Sequence, residues 1–226
     1  MKRAIALARR GLGRVSPNPL VGAVVVRNGK IVGEGYHLFE QKIHAEVMAL
    51  QRAGKKTQNA TLYLNLEPCV HQGRTGPCVE RILEAGVQEI FVSAEDPNPL
   101  VKGRGIRKLR RNGVRVQVGL CRDIASCLNE KFFHFITTGT PFVLLKLALT
   151  LDGKITSSED SRWITGTRAR REAHRLRYEY DAILVGVGTI LQDDPALDVR
   201  WSRRNEITKV ILDSRLRTPS RARIFH

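Results

Sequence analysis

A metal ion held by residues scattered along a chain forces those segments together, and His44, Cys69 and Cys78 have the makings of such a set. One imidazole and two thiols can hold Zn²⁺ and leave the fourth tetrahedral position to water. Catalytic zinc is usually held that way, whereas structural zinc is closed by four ligands. His44 opens the run His44-Ala45-Glu46, and the cysteines lie in Pro68-Cys69 and Pro77-Cys78. Glu46 is not needed as a ligand, so its carboxylate is free to take a proton from water at the open position and pass it to a leaving amine. Taken singly, His44 also suits a helix start and each cysteine a buried core position. The full constellation is what points to metal chemistry.

Length and charge set the remaining bounds. A chain of 226 residues can bury the core of one large domain or of two modest ones. No stretch approaches the roughly 18 consecutive apolar residues of a membrane span. The N-terminus, Met1-Lys2-Arg3-Ala4-Ile5, lacks the apolar core and cleavage site of a secretory signal. A soluble cytoplasmic protein is therefore expected, and the four cysteines are not read as disulfides. Cys121 and Cys127 are expected to be ordinary packed thiols. The net charge of +16 fits RNA, an anionic substrate or a solvated basic surface. Aromatics at 6% supply no basic ribbon for stacking single-stranded bases, which favours a phosphate-bearing small molecule over nucleic acid.

Periodicity predicts a helix over 2–14, with Ala4, Ile5, Ala8 and Leu12 on one face, broken by Ser16-Pro17-Asn18-Pro19. Strands over 20–27 and 30–36 flank the hairpin turn Asn28-Gly29. A helix runs from His44 to Ala53 and stops at Gly54, and a strand over 61–66 ends just before Glu67-Pro68-Cys69. Pro77 suits the first turn of the next helix, which ends at Gly86. That places Cys78 where the helix dipole favours the thiolate that metal ligation needs. Strand 88–94, the loop Asp96-Pro97-Asn98-Pro99, helix 103–112 and strand 114–118 complete a β/α alternation, which argues for a mostly parallel sheet covered by helices. A long helix over 121–138 leads to Thr138-Gly139-Thr140-Pro141, so domains are expected over 1–139 and 140–226. The second opens with strand 142–149 and continues through helix 167–179 and strands 182–187 and 208–213.

His-x-Glu followed by Pro-Cys-x-x-Cys is the zinc deaminase pattern, and this chain departs from it in placing eight residues, not two, between its cysteines. Ser16-Pro17-Asn18-Pro19-Leu20-Val21-Gly22-Ala23, Gly33-Glu34-Gly35-Tyr36-His37, His44-Ala45-Glu46 and Leu66-Glu67-Pro68-Cys69 through Gly73-Arg74-Thr75-Gly76-Pro77-Cys78 closely resemble the deaminase domain of the bifunctional riboflavin-biosynthesis deaminase/reductases. The long gap between the cysteines is itself a mark of that branch, as is Asp96-Pro97-Asn98-Pro99 followed by Gly103-Arg104-Gly105. The second half is similar to the family's reductase domain in Lys146 to Lys154, Ser161-Arg162-Trp163-Ile164-Thr165 and Gly186-Val187-Gly188-Thr189 through Asp193-Asp194-Pro195-Ala196-Leu197.

The resemblance implies a three-layer α/β/α cytidine-deaminase-like domain followed by part of a dihydrofolate-reductase-like α/β domain. It implies hydrolysis of the 2-amino group of 2,5-diamino-6-(5-phosphoribosylamino)pyrimidin-4(3H)-one, then NADPH-dependent reduction of the ribosyl moiety to ribityl. Zinc held by His44, Cys69 and Cys78 would bring water towards ionisation at neutral pH, and Glu46 would carry the proton. Motif matching places Asn18, His37, His71 and Arg74 around the deaminase substrate, Asn18 at the pyrimidine edge and Arg74 at the phosphate. In the second half it places Ala148, Trp163, Thr189 and Asp193 against NADPH and Ser161, Arg177, Leu197 and Arg200 against the sugar substrate, with Lys146 a candidate for reductase catalysis. Without the resemblance, Asp193-Asp194-Pro195 reads as a solvated turn and Trp163 as core.

The family's reductase domain continues past the point matched by residue 226, so its sheet is expected to be incomplete here and the chain poorly soluble or inactive as a reductase. The family tendency is to homo-oligomers. The nearest rival is a zinc deaminase acting on a base in RNA, favoured by the charge and opposed by the cysteine gap and the second half. A non-catalytic zinc-stabilised module is the other rival, opposed by Glu46 and the three-ligand count.

Overall fold

Five short strands in the first half of the chain pair into one sheet. They are β1 (Gly22–Arg27), β2 (Lys30–Tyr36), β3 (Thr61–Leu66), β4 (Glu89–Ala94) and β5 (Arg115–Val118), in the order β2-β1-β3-β4-β5. These elements come from a computed structural model that describes residues 1–41, 43–72, 76–155, 163–200 and 207–226. Asn28 and Gly29, both at positive φ, make the tight turn between β1 and β2. The expected mostly parallel sheet needs correction, because β1 runs antiparallel to both β2 and β3, and only β3-β4-β5 is parallel.

Alternation along the strands sends side chains to two faces. Ala23, Val25, Leu62, Leu64, Ile90 and Val92 point to one side, into a core shared with three helices. These are α2 (Ala45–Ala53), α3 (Cys78–Glu84) and α4 (Arg104–Arg111). Val24 packs on the opposite side with Ala4 and Leu7 of α1 (Lys2–Ala8), and Ala94 packs with Ile5 and with Ala125 of α5 (Arg122–Leu128). The result is three layers, α/β/α.

Two expected helices are shorter than their periodicity suggested. The first stops at Ala8 and tightens into a 3₁₀ turn over Arg9–Gly11. The expected helix over 121–138 is divided into α5 and α6 (Glu130–Thr138) at Asn129. The buried Asn129 amide accepts from Leu20 N–H at 2.8 Å and donates to Leu20 C=O at 3.0 Å, so the break serves a distant segment. Cys127 is exposed rather than packed.

The chain divides into two units, Met1–Val143 and Leu144–His226. In the second, α7 (Thr167–Glu179) precedes β6 (Ala182–Gly186), α8 (Val187–Asp193) and β7 (Thr208–Leu212), with β6 and β7 parallel. Ile190, Leu197, Ala222 and Ile224 form its small buried cluster. The expected strand over 142–149 is not formed. Residues there pair with no strand among those described, and Leu145 and Leu147 stand exposed. Alternating leucines favour a strand only where a neighbour supplies the ladder. Helix α8, absent from the periodicity reading, makes Asp193 its last residue rather than part of a free turn.

Candidate active site

The ends of three elements meet beside the sheet. His44 is the N-cap of α2, Cys78 is the first residue of α3, and Cys69 follows β3 by three positions. Two glycines of β2 set where α2 lies. A Cβ at Gly33 would fall 2.1 Å from Ala49 O, and one at Gly35 would fall 2.1 Å from Ala45 O. Any side chain there would push α2, with His44 and Glu46, off the sheet.

His44 Nδ1 lies 3.0 Å from Cys78 Sγ and 3.6 Å from Cys69 Sγ, and the three potential ligand atoms fall within 4.8 Å of one another. Cys78 N–H also points to Cys69 Sγ at 3.4 Å. Bonds from the Cys78 thiol, from His44 and from that amide hold the Cys69 thiol well below its usual range. Cys78, expected from its place at a helix start to be the thiolate, is instead pushed up by the same thiol pairing and by burial. His44 is raised, chiefly by its bond to Cys69. One imidazole nitrogen and two sulfurs, one of them poised as thiolate, fit the soft N/S preference of zinc.

Glu46 lies in the first turn of α2, 3% exposed, and its Oε2 has no hydrogen-bond partner among the described residues. Burial raises its pKa to about 7. A carboxylate that can hold or release a proton near neutrality, with one oxygen free, is suited to general acid–base work.

His37 is buried at the edge of this site, its ring edge-on to that of His44 at 5.5 Å, and its Nε2 meets Asn18 Nδ2 at 3.1 Å. Asn18 owes its position to the segment after it, where Asn129 holds Leu20 and the buried Asn65 bonds both Leu20 O and Gly22 N. The structure thus brings Asn18 and His37 to the His44–Glu46 cluster. His71 is exposed on the loop after Cys69, and Arg74 lies outside the described residues.

Two buried carboxylates in this region were not singled out by the sequence reading. Glu67 accepts four backbone N–H bonds, and Asp96, 7% exposed, has its pKa raised to about 6 by burial. Both belong to quoted motifs, but the donors to Glu67 come from residues 96–106, which no local pattern connects to it.

In the second unit, Arg177 Nη1 donates to Asp198 O at 3.2 Å and Arg200 Nε donates to the Asp198 carboxylate at 3.2 Å. Arg200 also lines a cavity of about 610 Å³ with Thr167, Arg170, Arg171 and His174, and the Arg170 guanidinium sits 4.5 Å over the Trp163 ring. Such a cationic cavity fits a phosphate group. Trp163 is 57% exposed rather than core. Thr189 and Asp193 are exposed on α8, Lys146 is exposed and Ala148 half-buried on the 142–149 stretch, and Leu197 turns into the buried cluster. Ser161 lies outside the described residues.

Comparison with known proteins agrees with both halves. Residues 1–94 match the cytidine and deoxycytidylate deaminase zinc-binding region, and residues 141–226 match the RibD C-terminal domain. Fold and site therefore define a zinc-binding deaminase domain joined to a reductase-type domain. The riboflavin biosynthesis protein RibD of Aquifex aeolicus is 49% identical over all of this chain and 64% of its own length. RibD of Escherichia coli is 47% identical over 98% of this chain and 61% of its own. The Thermotoga maritima diaminohydroxyphosphoribosylaminopyrimidine deaminase/5-amino-6-(5-phosphoribosylamino)uracil reductase is 44% identical, with a TM-score of 0.93 over all of this chain and 66% of that one. Acinetobacter baumannii RibD gives 0.90 at 42% identity, over 99% of this chain and 65% of that one. Over nearly all of its length the chain is similar to these RibD proteins, and it spans 61 to 64% of the length of the A. aeolicus and E. coli relatives.

Proposed function

We propose that this chain catalyses the zinc-dependent deamination of 2,5-diamino-6-(5-phosphoribosylamino)pyrimidin-4(3H)-one to 5-amino-6-(5-phosphoribosylamino)uracil, a step of riboflavin biosynthesis. The observation that carries the proposal is the convergence of His44, Cys69 and Cys78 beside the buried, half-satisfied carboxylate of Glu46. Zinc, when bound there, supplies a Lewis acid that lowers the pKa of a water towards neutrality. Glu46 would take one proton of the attacking water at its free oxygen and pass it to the ring nitrogen, then carry the second proton from the new hydroxyl to the departing amine. A C–N bond breaks, a C–O bond forms, and water is consumed as ammonia leaves. Asn18, which His37 orients, presents the pyrimidine edge with hydrogen-bonding groups, and His71 and Arg74 line the same pocket, with Arg74 at the phosphate.

For the second half the proposal is a binding role in the NADPH-dependent reduction of the ribosyl chain that the full-length family carries out. Ala148, Trp163, Thr189 and Asp193 would hold the cofactor, and Ser161, Arg177, Leu197 and Arg200 the substrate, with Lys146 beside the reaction. A homo-oligomer and a cytoplasmic location belong to the same proposal, and the free cysteines suit a reducing compartment. No helix among the described residues is long and apolar enough to cross a membrane.

One observation favours a second reading, an RNA substrate. Arg104, Arg107, Lys108 and Arg111 of α4 line a basic pocket of about 430 Å³ with Val70, next to Cys69 in the chain. Steeply salt-dependent tRNA binding would be its mark.

The deciding experiment is ammonia release from the diaminopyrimidine phosphate by wild type and Glu46→Gln, with zinc content measured on both. Turnover lost by roughly a hundredfold or more in the variant, with zinc retained, is the expected result. Undiminished turnover in Glu46→Gln would overturn the assignment of Glu46, and no ammonia from zinc-loaded wild type would overturn the substrate.

A further inference from the structure

We infer that Glu67 is a positioning residue for the metal centre, its buried carboxylate clamping the Pro68-Cys69 turn to the start of α4 and to the loop at Asp96. The inference rests on the metal-site reading above. Glu67 directly follows β3 and is 4% exposed. Its Oε1 accepts from Gly105 N–H at 2.9 Å and Ile106 N–H at 3.2 Å. Its Oε2 accepts from Gly103 N–H at 2.9 Å and Asp96 N–H at 3.2 Å. Four donors on one ionised carboxylate use its ordinary acceptor capacity, which leaves nothing to face a metal or substrate. Glu67 therefore acts through its neighbours.

Three of the donors lie at the beginning of α4, where helix N–H groups lack partners within the helix. The first turn of α4 contains no acidic residue, and its N-cap, Gly103, has no side chain to offer. The negative charge that a helix start favours comes instead from the segment that carries Cys69. Packing makes the joint stiff. A Cβ at Gly105 would lie 2.4 Å from Pro68 O and 3.2 Å from Glu67 Oε1, so the backbones of α4 and the turn are in direct contact. Cys69 is two residues from this clamp and presents its sulfur 3.6 Å from His44 Nδ1. Whatever shifts Pro68 shifts that sulfur.

The test replaces zinc by Co²⁺ in the full chain and compares wild type with Glu67→Gln and Gly105→Ala. The readouts are the cobalt d–d and sulfur-to-cobalt bands, metal affinity by chelator competition, and ammonia-release kinetics. Glu67→Gln places an NH₂ group where two N–H donors point, whereas Gly105→Ala keeps the carboxylate and crowds Pro68. Folded Glu67→Gln is expected to show displaced d–d bands, metal affinity weaker by roughly tenfold to a hundredfold, and a fall in kcat with little change in KM. A folded variant with wild-type bands and affinity, altered only in melting temperature, would make Glu67 a plain structural brace and overturn the inference. If circular dichroism finds Glu67→Gln unfolded, Gly105→Ala carries the same comparison, with the same result expected and the same result overturning it. Wild type that takes up no cobalt would sink the metal-site reading itself, a different failure from an unaffected variant.

Discussion

His37 Nε2 stands 3.1 Å from Asn18 Nδ2, while the other ring nitrogen, Nδ1, stands 3.1 Å from the carbonyl oxygen of Ile43. A carbonyl only accepts, so Nδ1 carries the ring proton and Nε2 accepts from the asparagine amide. Burial lowers the pKa of His37, which keeps the ring in this neutral form. The chain of polarity thereby orients Asn18, which turns its NH₂ to the histidine and keeps its carbonyl oxygen as an acceptor for a ligand N–H. Asn18→Asp has no N–H for the ring and meets its lone pair with a carboxylate. Its KM for the diaminopyrimidine phosphate is expected to rise roughly tenfold, the worth of a lost hydrogen bond, with a smaller change in kcat. Steady-state ammonia release measures both, and an unchanged KM would remove Asn18 from the binding surface.

Gly35 controls the site from the far side of α2. A methyl group at this position meets Ala45 O at 2.1 Å and Ala49 N at 2.8 Å, both backbone atoms, so relief requires the helix to move. Gly35→Ala is expected to cost about 1–3 kcal/mol in urea unfolding. The loss in kcat should be larger than that suggests, roughly a hundredfold, because an ångström of displacement carries His44 and Glu46 out of register. A variant with both stability and kcat near wild type would mean that the helix is not held by this contact.

The hairpin, the β/α alternation and the convergence of His44, Cys69 and Cys78 were legible in the sequence because each is carried by a local pattern. Asn28-Gly29 specifies its turn, the apolar alternation of β3 specifies a strand, and the residue types at 44, 69 and 78 are those that bind zinc. What was not legible depends on partners far away in the chain. The break at Asn129 exists to satisfy Leu20, over a hundred residues earlier, and helical periodicity runs through it undisturbed. The 142–149 stretch alternates like a strand, but no described strand lies alongside it to complete the ladder. Glu67 looks like one more charged residue in a loop until Gly103, Gly105 and Ile106 return to cap it. The antiparallel seam between β1 and β3 was missed for a related reason, since alternation of element types does not encode strand direction.

Metal removal separates catalysis from structure. The main core is built from Leu62, Leu64, Ile90, Val92 and the helices over them, not from the His44–Cys69–Cys78 cluster. Stripping the metal with a chelator is therefore expected to abolish ammonia release and leave the far-ultraviolet circular dichroism nearly unchanged. The half-buried thiol of Cys69 should then become titratable, in addition to the already exposed Cys127, while Cys78 stays buried. Cooperative unfolding on chelation would identify the metal as structural instead.

Asp96 offers a test by pH. Burial is the largest cause of its raised pKa of about 6, with the nearby charge of Glu67 adding to it, against an ordinary value of 3.8. A carboxyl whose pKa is higher in the folded chain binds its proton more tightly there, so protonation favours the folded state. The stabilising contribution is complete below the unfolded value and is lost as pH rises through about 6. Asp96→Asn stays neutral throughout and keeps an oxygen to accept the Asn98 N–H, a bond that the wild type makes at 2.9 Å. Between roughly pH 4 and 7 the wild type should lose stability relative to the variant, by up to about 3 kcal/mol, and the difference should level off above that window. Urea unfolding of both proteins across the range measures it. A pH-independent difference would show that Asp96 is ionised as readily in the folded chain as in the unfolded one.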